Sequence, residues 1–387
     1  MNYKTIPIFL AFLCMGFADV VGTLTGQVGE EFKLSHFVAL LIPFTGLIMF
    51  GFLSIPLGVI QDRIGKKPIF MFGLAIALAG MLLPLLQKDV LLLVFLAILL
   101  LGAGASVLQV AGNPIMRDVS DPEKYSRNLT LGQSIKAVGT LSGSLLPFAA
   151  HQWWGLDYRV VFPIYSAALL VTLIAVAATR IEEHRQSQAQ PATLKSCVAL
   201  LGNGYVLLMV MAIFVYVGAE VCVRSGVPVY LKRFDVDIKK WGVLGTALID
   251  VLLLTGRFSG SVVLNWISAQ KFLLITMVIS LIGLVGLLLA DNRSLALASI
   301  VFVGLGFANI FPLVFSIAVN RMPQRSNEIS GLMVTAIVGG AIVPPLMGLL
   351  ADWTSVRIGF VVPLCCALYL TYVSLVSLKL RPVAHEI

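Results

Sequence analysis

Asp19, Lys136, Glu220, Arg224 and Asp250 each interrupt a long run of Leu, Val, Ala and Gly. An ionisable side chain inside a bilayer costs roughly 2.5–3.5 kcal/mol on insertion scales, so each of these five needs a partner or a task. A carboxylate can take up and release one small cation, which makes Asp19, Glu220 and Asp250 candidates for binding a coupling proton or sodium ion. Asp19 has two other readings, a fixed ion pair with Lys136 and a sodium ligand together with Thr23. Lys136 and Arg224 can hold a carboxylate, sulfate or phosphate, the guanidinium in bidentate fashion. Asp19 can instead neutralise Lys136, and Glu220, four residues before Arg224, can neutralise it on the same helix. Asp250 is placed to meet Arg224 or Lys136. Around these charges, Thr23, Gln109, Asn113, Gln133 and Asn309 supply the mixed donors and acceptors that hydroxyl groups need. Tyr216, Phe307 and Phe311 offer flat faces for a ring, or simply pack.

The spacing puts these side chains on shared helix faces. Asp19, Thr23 and Gln27 recur every four residues; Ser106, Gln109 and Asn113, then Gln133, Lys136 and Thr140, and finally Tyr216, Glu220 and Arg224 follow three- and four-residue steps. The elements that carry them are membrane helices. Of 387 residues, 59% are hydrophobic and only 12% charged, about half the charged fraction of a soluble globule. Mean hydropathy is +0.97. The apolar runs are continuous over some twenty residues rather than alternating, which predicts helices and excludes a β-barrel. Twelve runs lie near 6–28, 37–60, 68–87, 90–116, 126–151, 160–180, 204–231, 240–264, 271–290, 295–320, 328–351 and 356–379. The polar stretch from Arg180 to Cys197 divides them six and six. The expected organisation is therefore all-α, with an N-terminal six-helix bundle over 1–180, a cytoplasmic linker over 181–200 and a C-terminal six-helix bundle over 201–387.

The two halves are weakly related at an offset near 200 residues. Ala18-Asp19-Val20 matches Ala219-Glu220-Val221, Gly104 matches Gly304, Ser126 matches Ser326, and Val138-Gly139 matches Val338-Gly339. Parallel six-helix repeats place a substrate site near the midplane between the halves, with transport by rocking. With both termini in the cytoplasm, sixteen Lys and Arg fall on the inner side, Arg257 counted among them, and nine on the outer. The loop after the seventh run, with Lys232, Arg233, Lys239 and Lys240, runs against this bias. All five tryptophans fall at run ends, where the membrane interface suits them. The formal charge of +8 resides at helix ends rather than on one patch, so nucleic acid is not an expected partner. The four histidines lie at run ends, in loops or in the tail, which leaves no nucleophile and base for an enzyme. No cofactor and no metal site are expected, the five cysteines read as packing residues, and the chain is expected to act as a monomer in the lipid bilayer.

After the second run the chain reads Gly58-Val-Ile-Gln-Asp62-Arg63-Ile-Gly65-Lys66-Lys67. This resembles the G-x-x-x-D-R-x-G-[RK]-[RK] signature of the major facilitator superfamily, and implies that these residues form a cytoplasmic gate. Its counterpart in the second half, from Gly260 to Lys271, is degenerate, with Leu264 in place of the acid. Within that superfamily the chain resembles the fucose/galactose/glucose:proton symporters. The resembling segments are Gln109-Val-Ala-Gly-Asn113-Pro114, Leu131-Gly-Gln133, Tyr216-Val-Gly-Ala-Glu220, Gly256-Arg257-Phe-Ser-Gly260, Phe311-Pro312-Leu-Val-Phe-Ser316 and Gly339-Gly340-Ala-Ile-Val-Pro344. The resemblance implies a twelve-helix fold and cation-driven symport of a monosaccharide or sugar derivative across the bacterial inner membrane. Where that family commonly carries a coupling glutamate on the fourth span, this chain has Gln109, and its first-span acid, Asp19, lies about one turn earlier. Sodium in place of protons is one alternative. A transporter of an anionic metabolite or drug using Lys136 and Arg224 is another.

Overall fold

The computed structural model describes residues 5–20, 28, 32–33, 36–87, 90–181, 183, 193–234 and 238–379. With no water in the bilayer core to satisfy a peptide group, a spanning segment closes its own hydrogen bonds as a helix. Most of the described residues in the predicted runs are helical. We label these helices α1 (Ile6–Asp19), α2 (His36–Ile64), α3 (Lys66–Leu86), α4 (Leu91–Asp118), α5 (Tyr125–Trp154), α6 (Val161–Ala178), α7 (Gly204–Leu231), α8 (Ile238–Val263), α9 (Ala269–Leu289), α10 (Arg293–Arg321), α11 (Pro323–Trp353) and α12 (Val356–Lys379). A short helix, Leu194–Leu200, lies in the linker. Among the described residues, nine helices are long and apolar enough to cross a membrane.

Polar residues set the helix starts. Ser268 and Asn292 accept backbone N–H bonds at the beginnings of α9 and α10. Gly65, at φ +102°, makes the abrupt turn from α2 into α3, a conformation that side chains rarely tolerate. Trp153, Trp154, Trp266 and Trp353 are exposed at helix ends, as expected of interfacial rings.

The chain forms two compact units. One comprises 1–122, 135–198 and 324–335; the other comprises 123–134, 199–323 and 336–387. In the first, α4 packs on α1, α2 and α3, and α6 packs on α1 and α3. In the second, α10 packs on α7, α8 and α9, and α12 packs on α7 and α9. Adding six to each helix number of the first set gives the second, so the repeat seen in sequence is a repeat of packing. The glycine crossings repeat as well. A Cβ on Gly16 or Gly139 would enter the facing backbone of α5 or α1, and one on Gly218 or Gly339 would enter α11 or α7.

Candidate functional site

In the first unit the polar set gathers where α1, α4 and α5 meet. The Gly16/Gly139 crossing brings the end of α1 against the middle of α5, one turn from Asp19. Asp19 Oδ2 accepts the Thr140 hydroxyl at 2.8 Å and lies 3.9 Å from Lys136 Nζ. Lys136 Nζ also donates to Gln109 Oε1 at 3.4 Å. The ammonium therefore links α1 to α4. Gln109 and Asn113, one turn apart on α4, are both buried. The Asp19 side chain keeps 37% of its surface accessible, so this carboxylate is open to exchange. Thr23 and Gln27 lie outside the described residues.

In the second unit four charges form one network. Glu220 Oε1 accepts from Arg224 Nη2 at 3.5 Å and faces Arg257 Nη2 at 3.7 Å; Arg224 Nη2 also meets Asp250 Oδ1 at 2.9 Å. Asp250 thus pairs with Arg224, one of its two expected partners. Arg257 corrects the sequence reading. It was counted with the inner-loop charges, but its side chain is buried within α8, because α10 supplies an acceptor that no hydropathy count reveals. Pro312 has no N–H to give the carbonyl four residues before it, which belongs to Ala308. Arg257 Nε takes that carbonyl at 3.0 Å, and Nη1 reaches the Gln133 carbonyl at 3.5 Å. The change leaves fifteen basic residues on the expected inner side against nine, so the charge bias keeps its sign.

The same break in α10, between its helical segments Arg293–Phe307 and Ile310–Arg321, explains two other residues. Tyr216 is fully buried, and its hydroxyl donates to the Phe307 carbonyl at 3.1 Å. Asn309 donates Nδ2 to the Gly256 carbonyl at 2.8 Å, while Gly260 leaves room for its side chain. Asn309 Oδ1 and Gln133 Nε2 are buried without a hydrogen-bond partner. Phe311 is buried against Phe315, ring centroids 5.8 Å apart. Gln133, Tyr216, Asn309 and Phe311 therefore surround the α10 break rather than the Asp19–Lys136 set.

The signature loop is tied to the start of α11, within the first unit. A Cβ on Gly58 would stand 2.8 Å from the Asn327 carbonyl, and one on Gly331 would stand 2.8 Å from that of Ser54. This crossing lets Asp62 Oδ1 accept from Asn327 Nδ2 at 2.9 Å. Lys66 pairs with Asp118 at 2.5 Å, linking the signature loop to the end of α4. Lys67 Nζ caps the Ala177 and Thr179 carbonyls at the end of α6. Glu183 accepts from the backbone N–H groups of Lys66 and Lys67, an acid at the positive end of α3. Arg63 is exposed in the last turn of α2. The linker helix joins this cluster through Ser196, which donates to Glu328 Oε1 at 2.5 Å. In the second unit the equivalent corner pairs Arg127 Nη1 with Asn265 Oδ1 at 3.1 Å. Asn327 and Asn265 escaped the sequence reading. The 200-residue offset that aligns Asn327 with Arg127 was the available signal.

Comparison with known proteins agrees with this construction. The chain is 29% identical over 395 residues to a glucose/galactose transporter of Brucella abortus, covering 98% of this chain and 95% of that one. It is 21% identical over 403 residues to an L-fucose-proton symporter of Haemophilus influenzae, covering 92% of each. Its fold matches the crystal structure of the transporter FucP in the outward conformation with a TM-score of 0.81 at 19% identity, over 97% of this chain and 99% of that one. The family model described as Major Facilitator Superfamily matches residues 8–337. With its signature loop, repeated packing and buried charges, this chain belongs to the Major Facilitator Superfamily and is a membrane transporter, not an enzyme.

Proposed function

We propose that the protein imports a neutral monosaccharide, or a close derivative, by symport with a cation, taking the proton as that cation, through alternating access. It would act as a monomer in the bacterial plasma membrane with both termini in the cytoplasm, needing no cofactor. The names of its relatives support the sugar. The matching of buried charge supports neutrality. Among the described residues, Lys136 faces Asp19 and Gln109, Arg224 faces Asp250 and Glu220, and Arg257 faces Glu220 and two carbonyls. An anionic substrate would have to displace one of these carboxylates, leaving a charge unpaired at several kcal/mol. Hydroxyl groups instead suit amides such as Gln109 and Asn113.

For coupling, Asp19 is the carboxylate best situated: partly open, held by one hydroxyl, and facing one ammonium at the long end of ion-pair distance. Protonating it removes the attraction on Lys136 and leaves that group to Gln109 and to substrate. Glu220 and Asp250 would keep the second-unit network neutral through the cycle. The test is uptake into proteoliposomes under separately imposed proton and sodium gradients, with neutral hexoses and sugar acids. Hexose accumulation that follows the pH gradient supports the reading. Accumulation that follows only sodium overturns proton coupling, and transport confined to anions overturns the neutral substrate.

A further inference from the structure

The loop after α7 carries basic residues where the charge bias disfavours them, and the transport reading gives them no work. One of them, Arg233, lines a cavity of about 630 Å³ in the second unit, between the end of α7 and the start of α12. Tyr230 and Arg357 share its wall with Ser355, Val356 and Ile358. We propose that this cavity binds an anionic phospholipid, its phosphate held by Arg233 and Arg357 and its acyl chain lying along Val229 and Ile358.

Size, charge and surroundings favour this ligand. The cavity is far larger than a phosphate ion and falls within the range of sites for organic ligands. Arg357 is held rigidly. Its Nε donates to the Leu288 carbonyl near the end of α9, and Nη1 pairs with Asp291 at 3.0 Å. Asp291 is largely exposed and offsets only one of the two guanidinium charges, so the mouth stays cationic. Arg233 is exposed, with its guanidinium carbon 6.0 Å from the Phe234 ring centroid, and can turn toward an incoming anion. Tyr230 is not a competing donor, because its hydroxyl is already given to the Leu287 carbonyl at 2.7 Å.

The apolar side of the cavity points to a ligand with a tail. Val229 and Ile358 are 46% and 44% exposed, and on membrane helices such surface meets acyl chains. Trp353, shortly before Ser355 in sequence, is 80% exposed and marks headgroup level. Two guanidiniums at headgroup level above an exposed aliphatic strip fit a molecule with a phosphate on top and hydrocarbon below. A soluble anion would use the first feature and waste the second.

The test uses the full-length protein in detergent, with thermal unfolding followed after addition of phosphatidylglycerol, phosphatidylcholine or inorganic phosphate. Phosphatidylglycerol is expected to raise Tm by about 5 °C or more over phosphatidylcholine. In Arg233→Gln that difference should fall by at least half, with the lipid-free Tm unchanged because this residue is exposed. Native mass spectrometry, counting phosphatidylglycerol retained by each protein, gives a second readout independent of unfolding. Equal retention and equal Tm shifts in wild type and Arg233→Gln would overturn the proposal. So would an equal shift from inorganic phosphate, which would make the cavity a soluble-anion site, or the absence of any phosphatidylglycerol effect.

Discussion

Arg257 donates to the one carbonyl in α10 that Pro312 leaves unserved, so a guanidinium on α8 completes the hydrogen bonding of a neighbouring helix. The same side chain faces Glu220, which ties the α10 break to the charge network on α7 and α8. Replacing it strands a buried carbonyl and unbalances a buried carboxylate together.

Arg257→Met should lower stability by about 3 kcal/mol, combining a lost charged hydrogen bond with an uncompensated carboxylate. Pro312→Ala restores an N–H for Ala308. The double variant should therefore recover at least about 1 kcal/mol relative to the sum of the single changes, measured as a thermal-unfolding cycle. Strict additivity would show that the two residues act independently.

Asp19→Asn should separate exchange from accumulation. The amide preserves the Thr140 contact and the volume, but cannot carry a proton. Sugar counterflow should persist at a rate within a few-fold of wild type, while uptake against a gradient should lose its dependence on external pH. Retention of pH-driven accumulation would remove Asp19 from the coupling step.

Gly139→Val should disturb the same site through the backbone. The new Cβ is aimed at the Leu13 carbonyl, so α1 and α5 must separate. Overpacking of this kind costs about 1–3 kcal/mol. Uptake should fall at least about tenfold through the stretched Asp19–Lys136 pair.

Cys197, on the linker helix, offers a pH readout. Burial, reinforced by the negative charges of Glu328 and Asp62 against that of Arg325, pushes its thiol up to about 11. At pH 8 only about one molecule in a thousand carries the thiolate. Maleimide labelling, in a variant whose other four cysteines are alanine, should be slow at pH 7 and climb steadily through pH 9. Glu328→Gln removes one cause of the upward shift while keeping an oxygen that can accept from Ser196, and should speed labelling at every pH.

Much of this was legible because hydropathy, charge sign and local spacing carry it. The spans, the signature loop, the Glu220–Arg224 pair and the Asp19–Lys136 pair follow from rules that act along one helix or from the scarcity of buried charge. Asp250 was traced to a short choice of partners. Arg257 was not, since its position inside α8 makes sense only once the broken α10 supplies acceptors. Pro312 was the clue, four residues after the carbonyl it fails. Asn327 was missed because a neutral amide in a polar helix start resembles any cap. Hydropathy was also silent on α5 and α11, each shared between the two units, since an apolar run reads alike whichever neighbour it packs against. For Tyr216 and Phe311 residue type left ring stacking and packing both open, and both side chains are buried.

The Gly58–Gly331 crossing brings the backbone of α2 against that of the start of α11. Two hydrogen bonds tie the crossing: Asn327 Nδ2 donates to Asp62 Oδ1 at 2.9 Å, and Gln61 Nε2 donates to the Asn327 carbonyl at 3.5 Å. A hydrogen bond to a charged group contributes about 1.5–3 kcal/mol. That weights a two-state population by roughly ten- to a hundredfold. In the transport cycle proposed above, a latch of this strength would keep one state dominant and still let thermal motion sample the other, so that Asn327 would help set the pace of the cycle.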